Sequence, residues 1–180
     1  VSMYGVICNT AIIVVCLCNG INQAAQPILS TNYGAGFSER IAQIRKLGIR
    51  TALIISSIPA FLGLVIPNMF THIFINPNPE ILAMTPTAIR IYFIGFFVMG
   101  INMFAVGYFQ STAKPKLSLL ICLARGCVLS IIFVTILAPT FGINGIWASV
   151  PLAEFVTLVL SIYFLAVKSQ RQTNTKEEIA

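Results

Sequence analysis

Five apolar stretches, each long enough to cross a membrane, constrain this sequence more than any other feature. They run over residues 3–27, 47–70, 89–109, 117–137 and 143–167. A helix needs about 20 predominantly apolar residues to cross the hydrocarbon core of a bilayer. Because lipid offers no hydrogen bonds to an open backbone, such stretches must be helices. The sequence therefore predicts an all-α, polytopic membrane helical bundle whose outer surface contacts the lipid bilayer.

Composition excludes the main alternatives to a membrane protein. Hydrophobic residues make up 57% of the 180 residues and charged residues only 9%, whereas an ordinary soluble domain has about 25% charged residues. A chain this short cannot bury so much apolar surface in one core, which excludes a soluble enzyme, a disordered chain and a disulfide scaffold. The net charge of +6 does not indicate a nucleic-acid partner, because the basic residues form short clusters between apolar runs.

The connections between the predicted spans alternate between basic ones and ones without Lys or Arg. Nine of the eleven Lys and Arg fall in three regions: the connections 30–50 and 111–116, and the polar end of the chain from Lys168. The connections 76–87 and 138–144 contain none. The positive-inside rule then predicts a multi-pass protein of the plasma (inner) membrane with a polar cytoplasmic tail over residues 169–180. Because the number of spans is odd and an apolar run follows Val1 almost at once, we expect a piece of a longer polytopic protein.

Two ionisable residues lie deep inside the predicted spans, where charged side chains are costly and usually face a bundle interior or a wet cavity. Arg125 is on the fourth span and Glu154 on the fifth, at closely matching depths if each residue adds about 1.5 Å along a helix. A short connection makes these spans antiparallel neighbours, so we expect the two side chains to face each other or share a hydrated cavity. The pair is either a protonatable carboxylate tuned by a basic partner or a structural ion pair that fixes helix packing.

Amide side chains form a stripe on the first span. The stripe consists of Asn19, Asn22, Gln23 and Gln26, and their spacing places all four on one face of a helix. Lipid does not accept such a stripe, so we expect it to face a neighbouring helix or a central cavity. The amides either contact a substrate or coordinate a cation, or they hydrogen-bond to a neighbouring helix. Pro27 follows the stripe and is expected to loosen the backbone, as in the discontinuous helices of transporters.

Asn102 on the third span is a weaker candidate of the same kind. Together with Glu154, Arg125 and the amide stripe, it completes the predicted set of substrate- or cation-binding residues. The sequence contains no Asp, no HExxH motif and no GxxxxGK[ST] loop. We therefore predict that the protein is not an enzyme and has neither catalytic residues nor a metal site.

Four segments together resemble the multidrug and toxic compound extrusion (MATE) transporters. Residues 26–36, Gln-Pro-Ile-Leu-Ser-Thr-Asn-Tyr-Gly-Ala-Gly, resemble the end of a helix and its cytoplasmic loop in that family. Residues 109–114, Phe-Gln-Ser-Thr-Ala-Lys, resemble the end of the tenth helix, with Ala113 in place of the usual glycine. Residues 119–125 resemble the arginine-bearing eleventh helix, and residues 142–154 resemble the start of the twelfth. The order and loop lengths match along nearly the whole chain.

The resemblance implies that residues 1–168 are helices eight to twelve of a twelve-helix protein, an incomplete six-helix C-terminal lobe. It implies secondary active export of amphipathic or cationic drugs, coupled to inward flow of Na⁺ or H⁺ by rocking between outward- and inward-open states. No cofactor besides the coupling ion is expected. The N-terminal lobe of the same chain is then a missing partner, and this fragment alone is not expected to transport.

Some members of the family use an acidic residue in the tenth helix, but this sequence has none within the corresponding span. Glu154 is therefore the acidic candidate for the coupling ion or a substrate charge, with Arg125 tuning it. Two other functions remain open. A lipid-linked oligosaccharide flippase of the same superfamily is expected to carry more deep cationic residues than Arg125 alone. A non-transporting membrane scaffold subunit would not explain the amide stripe or the deep charges.

Overall fold

The structure, a computed structural model, describes the backbone of residues 2–74 and 79–177 and the side chains of residues 4–74 and 85–167. Every regular element in these ranges is helical, and the predicted all-α membrane bundle is confirmed. The elements are α1 (Ser2–Gly34), α2 (Ser38–Val65), α3 (Pro67–Phe74), α4 (Pro79–Phe93), α5 (Phe96–Ser111), α6 (Pro115–Leu123), a π-helical segment (Ala124–Val128) and α7 (Leu129–Glu177).

The first helix is longer and more regular than its predicted span. It runs without interruption through Pro27 to Gly34, so the loosening expected at Pro27 does not extend to a break in the helix. A proline removes only the hydrogen bond to the carbonyl four residues earlier, which here is that of Gln23. The predicted glycine-rich end of this helix is confirmed, since Gly36 adopts a φ of +73° in the turn that leads to α2.

The connection predicted over residues 30–50 is mostly helix. Because α2 already begins at Ser38, the four basic residues of this region lie on its first turns rather than in a loop: Arg40, Arg45, Lys46 and Arg50. Long basic side chains let a helix continue past the hydrocarbon, because their charged ends reach the aqueous interface. The backbone of the predicted polar tail is described in part. The backbone of residues 169–177 continues α7 as a helix, and its side chains lie outside the described residues.

Two predicted spans are each divided into two helical pieces. Ile66 separates α2 from α3, because Pro67 disfavours helical backbone at the residue before it. Ile94 and Gly95 separate α4 from α5. Since α4 begins at Pro79, most of the predicted connection 76–87 is helical, and residues 76–78 lie outside the described part of the chain.

The chain reverses direction within α7. Four described stretches are long and apolar enough to cross a membrane: Tyr4–Gly34, Ser38–Val65, Thr85–Ser111 and Pro115–Val167. The last has 53 residues and would be about 80 Å long if it were straight, far more than a bilayer core of about 30 Å. Gly142 interrupts it with φ 58° and ψ −136°, and a Cβ at Gly145 would collide with the carbonyl group of Leu137. The stretch therefore folds back at Gly142, which reduces the predicted connection 138–144 to a single non-helical residue.

Helix α5 is the centre of the bundle. Eleven of its 16 residues are buried, and it contacts α1, α2, α6 and α7. One apolar cluster surrounds Phe93 and Phe96, and a second surrounds Phe104 and Phe109. Asn102 lies on α5 where the two clusters meet and is fully buried, so the deep polar residues are enclosed by apolar packing on both sides.

Candidate functional site

Arg125 and Glu154 form an ion pair between the π-helical segment and α7. The Nε atom of Arg125 lies 2.9 Å from Oε1 of Glu154. The Glu154 side chain is 6% exposed and the Arg125 side chain 24% exposed. The contact predicted from matching depths is confirmed, whereas the role of the pair remains a prediction. In such a buried pair desolvation offsets much of the attraction, but loss of one partner leaves the other charge uncompensated.

Asn102 completes this cluster from α5. Its Nδ2 atom donates two hydrogen bonds of 2.8 Å, one to Oε2 of Glu154 and one to the backbone carbonyl of Glu154. The two oxygens of the carboxylate therefore face two different elements, one carrying Arg125 and the other carrying Asn102. The Oδ1 atom of Asn102 is buried and has no hydrogen-bond partner in the described part of the chain. The cluster is consequently polar and only partly satisfied in an otherwise apolar interior.

A π-helical turn carries Arg125. The N–H of Leu129 donates to the carbonyl of Ala124, five residues earlier, so this turn is wider than an α-helical turn. The hydroxyl of Ser130 donates to the carbonyl of Arg125 at 2.9 Å, which satisfies one acceptor in the widened turn. Single π-helical turns within α-helices occur frequently at functional sites.

Two cavities flank the cluster, and Arg125 lines both. A cavity of about 250 Å³ is lined by Glu154, Tyr92, Met99 and Ser130, among others. A larger cavity of about 410 Å³ is lined by the amide stripe. A guanidinium group has five N–H donors, and a single carboxylate engages only part of them. Arg125 therefore retains donors for a group in either cavity.

The amide stripe of α1 lines the larger cavity, which is one of the two surroundings that its spacing left open. Asn22 is half-buried, and its Nδ2 atom donates to the carbonyl of Met103 at 3.0 Å. Gly107 makes this approach possible, because a Cβ there would lie 2.7 Å from Oδ1 of Asn22. That oxygen is buried and has no hydrogen-bond partner among the described residues. Asn22 thus joins α1 to α5 through its nitrogen and leaves its oxygen at the cavity.

The other three amides, those of Asn19, Gln23 and Gln26, are exposed along the same cavity. The backbone adds a further acceptor, because Pro27 has no N–H to donate to the carbonyl of Gln23. The stripe therefore presents amide donors together with amide and carbonyl acceptors. Its amides mainly form a polar lining of the cavity, and fewer of them form hydrogen bonds between helices.

The chemistry available at this site is that of oxygen atoms and one strong cation. The described residues contain no group of three or more His, Cys, Asp or Glu placed to hold a metal ion. The unpartnered Oδ1 atoms of Asn22 and Asn102, together with the Glu154 carboxylate, are the kind of ligand that hard cations prefer. The site can therefore exchange a proton or a small cation at Glu154 and offer hydrogen bonds to a molecule in the larger cavity.

Sequence reasoning did not single out Ser130 or Gly126. Ser130 follows Arg125 by five residues, the spacing of a π-helical hydrogen bond, which is a weak signal of the widened turn. Gly126 lines both cavities, and a Cβ there would meet nothing within 4 Å. A glycine directly after a deep arginine indicates open space beside the guanidinium, and the sequence contained that signal.

The MatE family model matches residues 1–136 of the chain. The matched part contains the amide stripe, Asn102 and Arg125, and it ends before Glu154. A search among curated proteins finds no match to the sequence.

Several solved structures have a similar fold. A multidrug resistance MATE family transporter of the MOP superfamily superposes in its outward-facing conformation with a TM-score of 0.85 at 16% identity. Its inward-facing conformation gives 0.84 at 15% identity. A MATE in complex with MaL6 gives 0.88 at 14% identity. Each match covers 96% of this chain and 39% of the solved chain. At these identities the likeness concerns the fold, and the chain spans about two-fifths of the length of these structures.

Proposed function

The chain belongs to the MatE family, and from that premise we propose that the full-length protein is a secondary active exporter of amphipathic, often cationic compounds. Export is driven by inward flow of Na⁺ or H⁺. In this proposal residues 1–168 are helices eight to twelve of the transporter and form most of its C-terminal lobe. The other lobe of the same chain supplies the facing half of the pathway.

The observation that carries the proposal is the buried carboxylate of Glu154, which lines the smaller cavity and pairs with the arginine that lines both cavities. It pairs with Arg125 on one side and with Asn102 on the other. An intramembrane ionisable residue is costly, and this one contacts a cation that itself reaches both cavities. A bound proton or Na⁺ at Glu154 competes with Arg125 for the carboxylate, because both neutralise the same charge.

This competition connects ion binding to helix arrangement. When the carboxylate is neutralised, Arg125 loses its partner and its donors become available to the larger cavity. The hydrogen bonds that join α5 to α7 at Glu154 change at the same time. A ligand that interacts differently with two arrangements of these helices shifts the population between them. The amide stripe supplies neutral hydrogen-bonding groups for the transported molecule.

The fold also supports rocking between two states. It is about equally similar to an outward-facing and an inward-facing relative, with TM-scores of 0.85 and 0.84. A lobe that fits both states can move as a unit while the pathway opens on alternate sides.

The two alternatives give different expectations for the site. Arg125 is the one Lys or Arg among the described residues that line the two cavities, which is a sparse lining for the diphosphate of a lipid-linked oligosaccharide. A scaffold subunit would have no need for cavities next to a buried charge. The drug exporter therefore remains the function that the site supports best.

Transport by the full-length protein in proteoliposomes tests the proposal. Ethidium serves as the fluorescent cation, and a Na⁺ or proton gradient is imposed in separate experiments. We expect ethidium movement that depends on one of the two gradients and stops when that gradient is dissipated. Folded protein that moves a lipid-linked diphosphate but not ethidium would indicate the flippase. Folded protein that is inactive in both assays would indicate a scaffold.

A further inference from the structure

An apolar groove lies between α1 and α2, on the side of these helices away from the ion pair. Its volume is about 490 Å³. The groove residues of α1 are Leu17, Gly20, Ile21, Ala24, Ala25 and Ile28, and those of α2 are Ile44, Leu47, Gly48, Thr51 and Ile55. Thr51 is the one polar side chain in this set. The lining is therefore suited to a hydrocarbon rather than to a polar ligand.

The groove has the length of one leaflet. It extends over 11 residue steps on each helix, from Leu17 to Ile28 and from Ile44 to Ile55, which corresponds to about 16 Å at 1.5 Å per residue. Half of a bilayer core is about 15 Å. Helix α5 packs against α2 at this level, because Gly48 lets the Phe104 ring approach α2 so closely that a Cβ would collide with it.

A basic residue, Arg40, lies one helical turn beyond the groove and on the same face of α2 as the groove residues. Arg40 precedes Ile44 by one helical turn, and positions 40, 44, 47, 48, 51 and 55 share one face of α2. The Arg40 side chain is exposed, and its guanidinium carbon lies 4.9 Å from the centre of the Phe37 ring. Lys46 and Arg50 are exposed on other faces of the helix. The nearby acid, Glu39, is displaced from Arg40 by about 100° around the helix.

We propose that this groove binds one acyl chain of an anionic phospholipid while Arg40 binds its phosphate group. The proposal uses the orientation given by the positive-inside rule, which places Arg40 at the cytoplasmic leaflet. That leaflet contains the anionic lipids, and each Lys or Arg near its surface contributes about 1 kcal/mol of attraction. The site is separate from the transport cluster, and it is occupied whether or not the protein exports drugs.

Lipid retention by the full-length protein tests the proposal. The protein is purified in detergent, given equal amounts of dioleoylphosphatidylglycerol and dioleoylphosphatidylcholine, and measured by native mass spectrometry and thermal unfolding. We expect preferential retention of phosphatidylglycerol and a higher Tm with that lipid. Arg40→Gln is expected to weaken phosphatidylglycerol retention about fivefold, the loss of one such cation. Lys46→Gln removes the same charge from another face and is expected to keep the preference.

A second pair of variants tests the groove itself. A Cβ at Gly20 or at Gly5 meets nothing within 4 Å, but only Gly20 lines the groove. Gly20→Leu is expected to lower retention of both lipids, whereas Gly5→Leu is expected to leave it unchanged.

Three results would overturn the proposal. The first is equal retention of the two lipids by the unmodified protein, or equal loss in Arg40→Gln and Lys46→Gln. The second is displacement of the lipid by millimolar glycerol 3-phosphate, which would indicate a site for a soluble phosphate. The third is a Gly20→Leu protein that unfolds at a lower temperature with either lipid while retaining both, which would indicate that another helix covers the groove.

Discussion

At the scale of single residues, the two oxygens of Glu154 have different partners, and the coupling role that we propose for this residue depends on that arrangement. Oε1 faces the guanidinium of Arg125, and Oε2 accepts a hydrogen bond from Asn102. Replacement by glutamine removes the charge that attracts Arg125 but keeps an oxygen for Asn102. The change therefore acts on ion binding more than on the shape of the core.

We expect Glu154→Gln to lower gradient-driven ethidium transport by about fivefold or more, the effect of losing a coupling energy of at least about 1 kcal/mol. Expression in the membrane should be retained. Glu39→Gln is the matched control, because Glu39 is exposed at the first turn of α2, and it should transport like the unmodified protein. Normal gradient-driven transport by the Glu154 variant in the same vesicles would remove the carboxylate from the mechanism.

Asn102 gives a prediction about stability. Asn102→Leu leaves Oε2 and the carbonyl of Glu154 without their buried donor, which should cost about 1–3 kcal/mol of unfolding free energy. Denaturant unfolding in detergent measures this cost, and Asn19→Leu at the exposed stripe should change the unfolding free energy little.

The effects of substitutions within one hydrogen-bond network are not additive, and their coupling energies are about 0.5–3 kcal/mol. Additive effects of Asn102→Leu and Glu154→Gln would therefore show that the two side chains do not interact.

Much of the site could be predicted from helical spacing and depth. These arguments placed Arg125 beside Glu154 and put the four amides on one helix face, directed at either a neighbouring helix or a cavity. They ranked Asn102 too low, although it donates to both the side chain and the backbone of Glu154. Spacing shows which residues share a face of one helix, whereas the contact between Asn102 and Glu154 depends on how α5 and α7 are rotated against each other.

At the scale of helices, the departures from the predicted spans share a local cause. Pro67 disfavours helical backbone at the residue before it, so α2 ends at Val65 and α3 begins at Pro67. Gly95 lies at the break before α5. Pro27 does not interrupt α1, because a single missing hydrogen bond is not enough to end a helix held by neighbours on both sides. The boundaries of apolar runs therefore do not coincide with the ends of helices.

The reversal within α7 depends on one glycine. Gly142 adopts φ 58° and ψ −136°, a backbone conformation outside the left-handed helical region that is used almost only by glycine and costs other residues about 1–3 kcal/mol. We expect Gly142→Ala to lower the unfolding free energy by about this amount and to weaken the contact between Arg125 and Glu154, which lie on either side of the turn. Thermal unfolding and transport measure the two effects.

Gly20→Ala is the control for this substitution. Gly20 is helical and a Cβ there meets nothing within 4 Å, so alanine should stabilise the helix by up to about 1 kcal/mol. An equal response of the two glycine variants would contradict a special role for Gly142.

At the scale of the whole molecule, the described chain corresponds to about two-fifths of the length of the solved relatives. The segment from Pro115 to Val167 is the most apolar of the candidate spans and is the least buried within the described structure. Its surfaces are open to lipid or to protein outside this chain. In the solved relatives, about three-fifths of the length lies outside the matched region. In the proposed exporter, the cavities beside Arg125 are walls of a pathway that the other lobe completes.

The predicted orientation can be measured directly. We expect green fluorescent protein fused after Ala180 to fluoresce and alkaline phosphatase fused there to be inactive, because the basic ends of the helices remain in the cytoplasm. Alkaline phosphatase inserted after Gly142 should be active, since that turn lies at the opposite face. The reverse pattern in the two fusions would invert the orientation and, with it, the leaflet in which Arg40 lies.

The sequence by itself determined that the helices of this protein are surrounded by lipid. It also determined which segments are long and apolar enough to cross a membrane, and the helix faces on which the polar residues lie. These properties are local, because hydropathy and the helical repeat act over about 20 consecutive residues. Only the tertiary structure decided that a π-helical turn presents Arg125, that Asn102 joins the ion pair, and that Gly107 admits Asn22. Those contacts join residues up to 81 positions apart, and they depend on rotations between helices that no repeat along one helix encodes.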